Sequence, residues 1–365
     1  MMNATIRARS TGGRRLARGW LALLAAVALA LTGCQGSEKP QGEQPAASDA
    51  GEKPVWKDGK LQPLSDGFPD SPITLWSSFT VGHGDDILNR TVAEAASRLT
   101  TVRVTTDVYE AGPQMSYGLV SNFLPGRPRA GEGYNIYMAN WLAMAVRPFS
   151  TDSVAQFEPD YLVPVVGIMY RGFVYVVPPD SQFASVADVV DAAKQRPGEM
   201  RFCAGTATST VTLSGYAFLK EAGVDMTFIP SEGSAEAKTL MLGGGCDFMV
   251  ATYVPGMEND LKLLAVSDAE RNPVLPDVPT IAEEGFTALG GNLSGYGVLP
   301  DVPQSHRDWI SALMLEVIKD DKFIEANQGA LIQGYTVEEI QQLMEADIDA
   351  YYPVLVDLGM NVRER

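Results

Sequence analysis

The chain has 365 residues, 45% of them apolar, with 28 basic and 45 acidic side chains and a formal charge of −17. That balance argues against a nucleic-acid partner, which needs a basic footprint. Three cysteines and two histidines leave little from which to build a transition-metal centre.

Residues 1–20 carry Arg7, Arg9, Arg14, Arg15 and Arg18 and no acid. The apolar run Trp20 to Leu31 that follows is too short to span a bilayer as a helix. It ends in Leu31-Thr32-Gly33-Cys34. A basic start, a short apolar stretch and small residues before a cut predict a secretory signal over residues 1–33. The Leu-x-Gly-Cys ending resembles the bacterial lipobox, which implies cleavage before Cys34 and lipid on its sulfur. An ordinary signal peptide with a chance cysteine is the alternative, and Arg14-Arg15 leaves Sec and Tat export both open. Cleavage would remove five arginines and no acid, leaving 23 basic against 45 acidic residues, or −22.

Residues 34–69 are rich in Pro, Gly, Ser and charge and lack apolar periodicity, so they are expected to form a flexible tether. About 295 residues follow, enough for two α/β lobes. The pattern "ITLWSSF" predicts a strand over 73–79, "DILNRTVAEAASRL" a helix over 86–99 and "VRVTTDVY" a strand over 102–109. A short helix over 113–124 and a strand over 134–139 complete a first series. Two β-rich runs lie within 162–179. A second series then reads helix 185–195, strand 200–205, helix 209–223, strand 225–230, helix 234–242, strand 246–251 and strand 261–266. Ser185 with Asp188 suggests a capping box, and Gly223 a helix stop. A segment at 294–300 leads into two long helices, 303–326 and 336–358. Alternating strands and helices predict parallel sheets covered on both faces, and two such series predict two doubly wound lobes with a cleft between them.

Two strand-to-helix turns carry candidate chemistry. Val81-Gly82-His83-Gly84-Asp85-Asp86 precedes the first helix, where free N–H groups and the positive helix end meet. Its glycines let a ligand approach the backbone, which favours an anion cradle, with Asp85 or Asp86 as helix cap. The spacing matches no metal pattern, and no Gly-x-Ser-x-Gly elbow supports a nucleophile. The second turn, Gly205 to Thr210, brings the hydroxyls of Thr206, Thr208, Ser209 and Thr210 to another helix start. Cys203 and Cys246 either pair in an oxidising compartment or stay as buried thiols.

Residues 162–296 resemble the substrate-binding proteins of tripartite tricarboxylate transporters, the TctC or Bug family. The resemblance lies in "VPVVGIMYRGFVYVVPPDSQFASVADVVDAAKQRPGEMRFCAGTATST", "AGVDMTFIPSEGSAEAKTLMLGGGCDFMVA" and "LKLLAVSDAERNPVLPDVPTIAEEGF". Its most specific part is Ala-Val-Ser, then Arg271-x-Pro273, then Leu275-Pro276-Asp277-Val278-Pro279-Thr280 with Glu283 and Gly285. The resemblance implies a type II periplasmic-binding-protein fold that closes on a carboxylate held by backbone amides, hydroxyls and waters, with no cofactor and no catalysis. It implies Phe79, Thr80, Gly82, His83, Gly84 and Asp85 as first-lobe contacts, and Gly205, Thr206, Thr208, Ser209 and Thr210 as second-lobe contacts. Asn140 and Tyr253 are expected as side walls.

The chain also departs from the family pattern. His83 replaces a glycine, Ser231-Glu232-Gly233 replaces Tyr-Lys-Gly, and Ala251-Thr252-Tyr253 stands where an aspartate is common. Glu110-Ala111-Gly112-Pro113 stands for a longer glycine-rich segment. These changes count against a tricarboxylate and favour a less charged acid, an aromatic acid or a non-acidic solute. The first lobe is expected to hold residues 70–177 and 296–365, the second 178–295. The expected partners are a small carboxylate, a permease of the tripartite tricarboxylate type and a membrane reached by the lipid anchor, with the chain a monomer. A receptor feeding a signalling system, an exported hydrolase and a scaffold lipoprotein are the rival readings.

Overall fold

The computed structural model describes residues 52–78, 81, 84–109, 123–149, 161–231, 233–328, 330–360 and 362. The signal segment, Cys34, Phe79, Thr80, Gly82, His83, Glu232, residues 110–113 and nearly all of the helix expected at 113–124 lie outside the described residues.

The first half of the sheet is built from β3 (Ile73–Ser77), β4 (Val104–Val108) and β5 (Asn135–Asn140), all parallel. Helix α1 (Gly84–Leu99) joins β3 to β4, and α2 (Trp141–Val146) follows β5. The second half is built from β7 (Arg201–Cys203), β8 (Thr227–Ile229) and β9 (Phe248–Thr252), again parallel. Its helices are α3 (Val186–Gln195), α4 (Thr210–Ala222), α5 (Ser234–Leu242) and the single turn α6 (Met257–Asp260). The capping box on α3 forms as its spacing predicts: Ser185 accepts from the Asp188 N–H, and Asp188 accepts from the Ser185 N–H. Gly223 closes α4 at φ 65°.

One strand joins the halves. β6 (Val163–Val177) runs for 15 residues, although its sequence reads as two runs broken by Tyr170-Arg171-Gly172. Its near-continuous apolar character marks a strand covered on both faces. Residues 163–172 pair with β11 (Gly291–Val298) and, in part, with β12 (Leu331–Tyr335). From Phe173 onward the partners are β9 and β10 (Lys262–Val266). The polar interruption therefore sits where the strand changes partners. The order through the sheet is β4-β3-β5-β11-β6-β9-β7-β8.

Two helices expected as one at 303–326 are α7 (Gln304–Val317) and α8 (Asp321–Ala326). Asp320 separates them, accepting from the N–H groups of Lys322 and Phe323 as the cap of α8. Strand β12 has no clear sequence signal, because "LIQGY" is short and mostly exposed and shows no clear alternation. Helix α9 (Val337–Asp357) packs on α2 and on α4, so it lies against both halves.

Part of the segment whose composition reads as a tether is packed against the fold. Residues 56–61 form a small hairpin, β1 (Trp56–Lys57) and β2 (Lys60–Leu61). Leu61, Leu64 and Phe68 are buried with α1 and α7, and the Trp309 indole N–H donates to the Gln62 carbonyl at 2.8 Å. His306 stacks on Phe68 at 3.9 Å and bonds through its two nitrogens to the Glu132 carbonyl and Asp66. Three apolar anchors thus order a segment whose average composition reads as a tether.

Candidate functional site

Strand register places the site. In the first half, Asn140 at the carboxyl end of β5 pairs with Ser294, which pairs with Met169 of β6. In the second half, Thr252 at the carboxyl end of β9 pairs with Phe173 of β6. The carboxyl edges of the two parallel sets therefore face each other, with residues 170–172 and 291–293 between them. Open α/β sheets bind ligands at such edges, where turns and helix N-termini gather.

From the first half, Gly84 opens α1, and Asp85 and Asp86 occupy its first turn. Negative charge there complements the helix dipole. Asp86 is buried at 1% exposure and takes the Arg90 Nε–H on both carboxylate oxygens at 3.0 Å, so it serves the helix. Asp85 is half-buried. Asn140 caps α2, its Oδ1 accepting the Ala143 N–H at 3.3 Å.

From the second half, the turn after β7 holds Gly205, Thr206, Thr208 and Ser209 half-buried and Thr210 buried. Ser209 caps α4, accepting the Thr212 N–H, and its Oγ lies 2.9 Å from the Thr212 hydroxyl. A Cβ at Gly205 would stand 2.6 Å from the Ser209 Oγ, which is why the turn needs glycine. The Ser231 hydroxyl donates to the Ala204 carbonyl and ties the neighbouring turn to this one. Cys203 and Cys246 are joined, with Cα atoms 5.9 Å apart. Cys246 stands in the turn before β9, outside the ladder, so parallel-strand geometry does not hold the two thiols apart. Tyr253 is placed otherwise than expected. Its ring is buried with Val174, Cys203 and Met257, and its hydroxyl donates to Glu258 at 3.0 Å. It belongs to the second-half core, and burial pushes its pKa up to about 12.

The floor between the edges holds residues that sequence reading missed. Arg171 donates through Nη2 to Asn327 Oδ1 at 3.1 Å, while its Nε is buried without a partner. Burial lowers its proton affinity, and the charge of Asp85 partly offsets that. Asn292, opposite Arg171 in the ladder, donates to the Thr252 hydroxyl at 3.0 Å and keeps a buried, unpartnered Oδ1. An arginine interrupting a long apolar strand was the available signal. Nearby, Tyr296 Oη donates to Asn89 Oδ1 at 2.8 Å, fixing α1 on β11. Two surface grooves of about 460 and 410 Å³ lie away from these edges, one beside α7 and β12, the other between α4 and α9. Among the described residues, no three His, Cys, Asp or Glu side chains gather as metal ligands. No helix of the described residues is long and apolar enough to cross a membrane.

The model of the TctC family, the tripartite tricarboxylate transporter family receptors, matches residues 96–297. The chain belongs to this family. Among its relatives is the UPF0065 protein of the tcbD-tcbE intergenic region in a Pseudomonas species, 26% identical over 309 residues, covering 82% of this chain and 90% of the relative. Another is the protein BugT of Bordetella pertussis, 27% identical over 239 residues, covering 62% and 70%. Solved TctC-like structures share the fold. Rpa4515 of R. palustris, solved with adipate, is 23% identical with a TM-score of 0.66, covering 80% of this chain and 99% of that one. MatC of Rhodopseudomonas palustris, with bound malate, is 18% identical with a TM-score of 0.62, covering 79% and 100%. The fold is thus the type II periplasmic-binding-protein fold expected from the sequence, and the chain is a TctC solute-binding receptor.

Proposed function

We propose that this TctC receptor is a lipid-anchored, extracytoplasmic protein that captures a small carboxylate between the two halves of its sheet and presents it to a tripartite permease. The observation that carries this reading is the register that brings two carboxyl edges to face each other across β6 and β11. The ligands named for two similar structures, adipate and malate, support a carboxylate. The lobes are taken as residues 70–177 with 296–365, and 178–295, except that the ladder puts Phe173–Val177 with the second and Ser294–Gly295 with the first. Capture is a binding event without bond cleavage: a ligand touching both lobes shifts the population toward the closed form. First-lobe contacts come from Phe79, Thr80, Gly82, His83, Gly84 and Asp85 and second-lobe contacts from Gly205, Thr206, Thr208, Ser209 and Thr210, with Asn140 beside them. The Leu31-Thr32-Gly33-Cys34 stretch supports lipid attachment at Cys34 and an extracytoplasmic location. The protein acts as a monomer.

A thermal-shift panel of mono-, di- and tricarboxylates, aromatic acids and neutral solutes tests this reading. A ligand at a hundred times its Kd stabilises the folded state by about 2.7 kcal/mol, a readily measured rise in Tm. Stabilisation by no carboxylate would remove the reading.

A further inference from the structure

The receptor reading leaves open what feature of a carboxylate the site selects. We infer that Arg171 and Asn292 form a polar floor that recognises a carboxylate bearing a hydroxyl or ammonium group on the adjacent carbon. Arg171 receives the carboxylate, and Asn292 Oδ1 receives the proton of the neighbouring donor. The inference rests on the receptor reading and sharpens its ligand class.

Four observations support it. First, Arg171 and Asn292 are direct partners in an antiparallel ladder, so both side chains leave the same face of the sheet with Cβ atoms about 5 Å apart. That spacing suits two adjacent polar groups of one small molecule. Second, each keeps one buried polar atom unpartnered, a donor on Arg171 and an acceptor on Asn292. Unpaired buried polar atoms are costly, and a donor and an acceptor on opposed residues can serve one guest that offers the complementary pair.

Third, the rest of each side chain is held. Asn327 donates to the Phe323 carbonyl at 2.8 Å, which aims its Oδ1 at the guanidinium. Thr252 holds the Asn292 amide. Fourth, the hydrogen bond found for the guanidinium among the described residues goes to neutral Asn327, and the charge of Asp85 acts on it through space. A half-buried cation with one neutral partner is only partly compensated. A ligand carboxylate would complete the compensation through a charge-assisted bond. The location agrees: Asp85 belongs to the first half, Thr252 to the second, and the pair lies on the strands between them.

The test is calorimetric titration of the purified protein with succinate, malate and aspartate. Malate adds a hydroxyl to succinate at the carbon beside a carboxylate, and aspartate adds an ammonium. The wild type is expected to bind malate or aspartate at least tenfold more tightly than succinate, and whichever binds better names the donor. Asn292→Ala is expected to bring that ratio to within twofold. Because the ratio is taken within one variant, a general loosening of the fold does not produce it. Arg171→Met is expected to weaken binding at least 100-fold while the ligand-free Tm is kept or raised.

Equal binding of all three ligands by the wild type, or unchanged binding by Arg171→Met, overturns the inference and leaves the receptor reading standing. Binding only of a carboxylate without an adjacent donor does the same. Binding of no carboxylate at all overturns both.

Discussion

The two faces of β6 at residues 170–172 are built in opposite ways. The Arg171 face carries a cation whose hydrogen-bonding capacity is incompletely used. The opposite face carries buried acid. Asp268 sits at 7% exposure against Gly172, where a Cβ would overlap its carboxylate. Asp347, on α9, acts electrostatically on Tyr170 and on Tyr351, one turn along the same helix. Burial raises the pKa of both acids, that of Asp347 to about 7. The difference teaches how one strand can serve both halves of a receptor. One side holds charge ready for a guest, and on the other burial raises the proton affinity of the acids.

The largest expected effect comes from filling the acidic face. Gly172→Ala drives a methyl into the Asp268 carboxylate and should lower stability by about 3 kcal/mol, seen as a lower urea midpoint. An unchanged midpoint would show that Asp268 can move aside and that the face is less tightly filled.

The next effect is electrostatic. The folded form retains a proton on Asp347 that the unfolded chain releases, so stability falls as pH rises from about 4 to about 7 and then levels off. Asp347→Asn should remove most of that slope and stabilise the protein at pH 8 by about 2 kcal/mol. Asp268 contributes with the same sign. Urea titrations across that pH range check this, and a wild-type stability independent of pH would break the comparison.

The smallest effect lies on the other face. Without ligand, Arg171→Met should leave stability unchanged or raise it by about 1 kcal/mol, because an incompletely paired, half-buried charge is replaced by packed side chain. A marked loss of stability would mean that Arg171 serves the fold and not a guest.

Much of this architecture was legible in the sequence, because local chemistry and tertiary role agreed. Helix α5 follows the expected limits, and α3 starts at its capping box. The alternation of strand and helix gave both parallel sets. The floor was less legible. Tyr170-Arg171-Gly172 reads locally as a break, and only the change of partner from β11 to β9 shows why one strand tolerates it. Asn292 gives no local signal at all, since its meaning comes from standing opposite Arg171. Tyr253 misled for the converse reason. It follows a strand end, as a cleft residue would, yet a large aromatic ring beside an apolar cluster gains more from burial. The docking of residues 52–69 was hidden because three apolar residues are diluted by polar neighbours, although each is fixed by a distant part of the chain.

That docked arm has a mechanical consequence. Gln62 and Asp66 grip α7 through Trp309 and His306, and α7 packs on the first half. Tension applied to the backbone ahead of residue 52 would enter the first half through α7, and would reach the other half only by way of β6, β11 and α9. The half containing β7, β8 and β9 has no direct contact with that arm among these bonds.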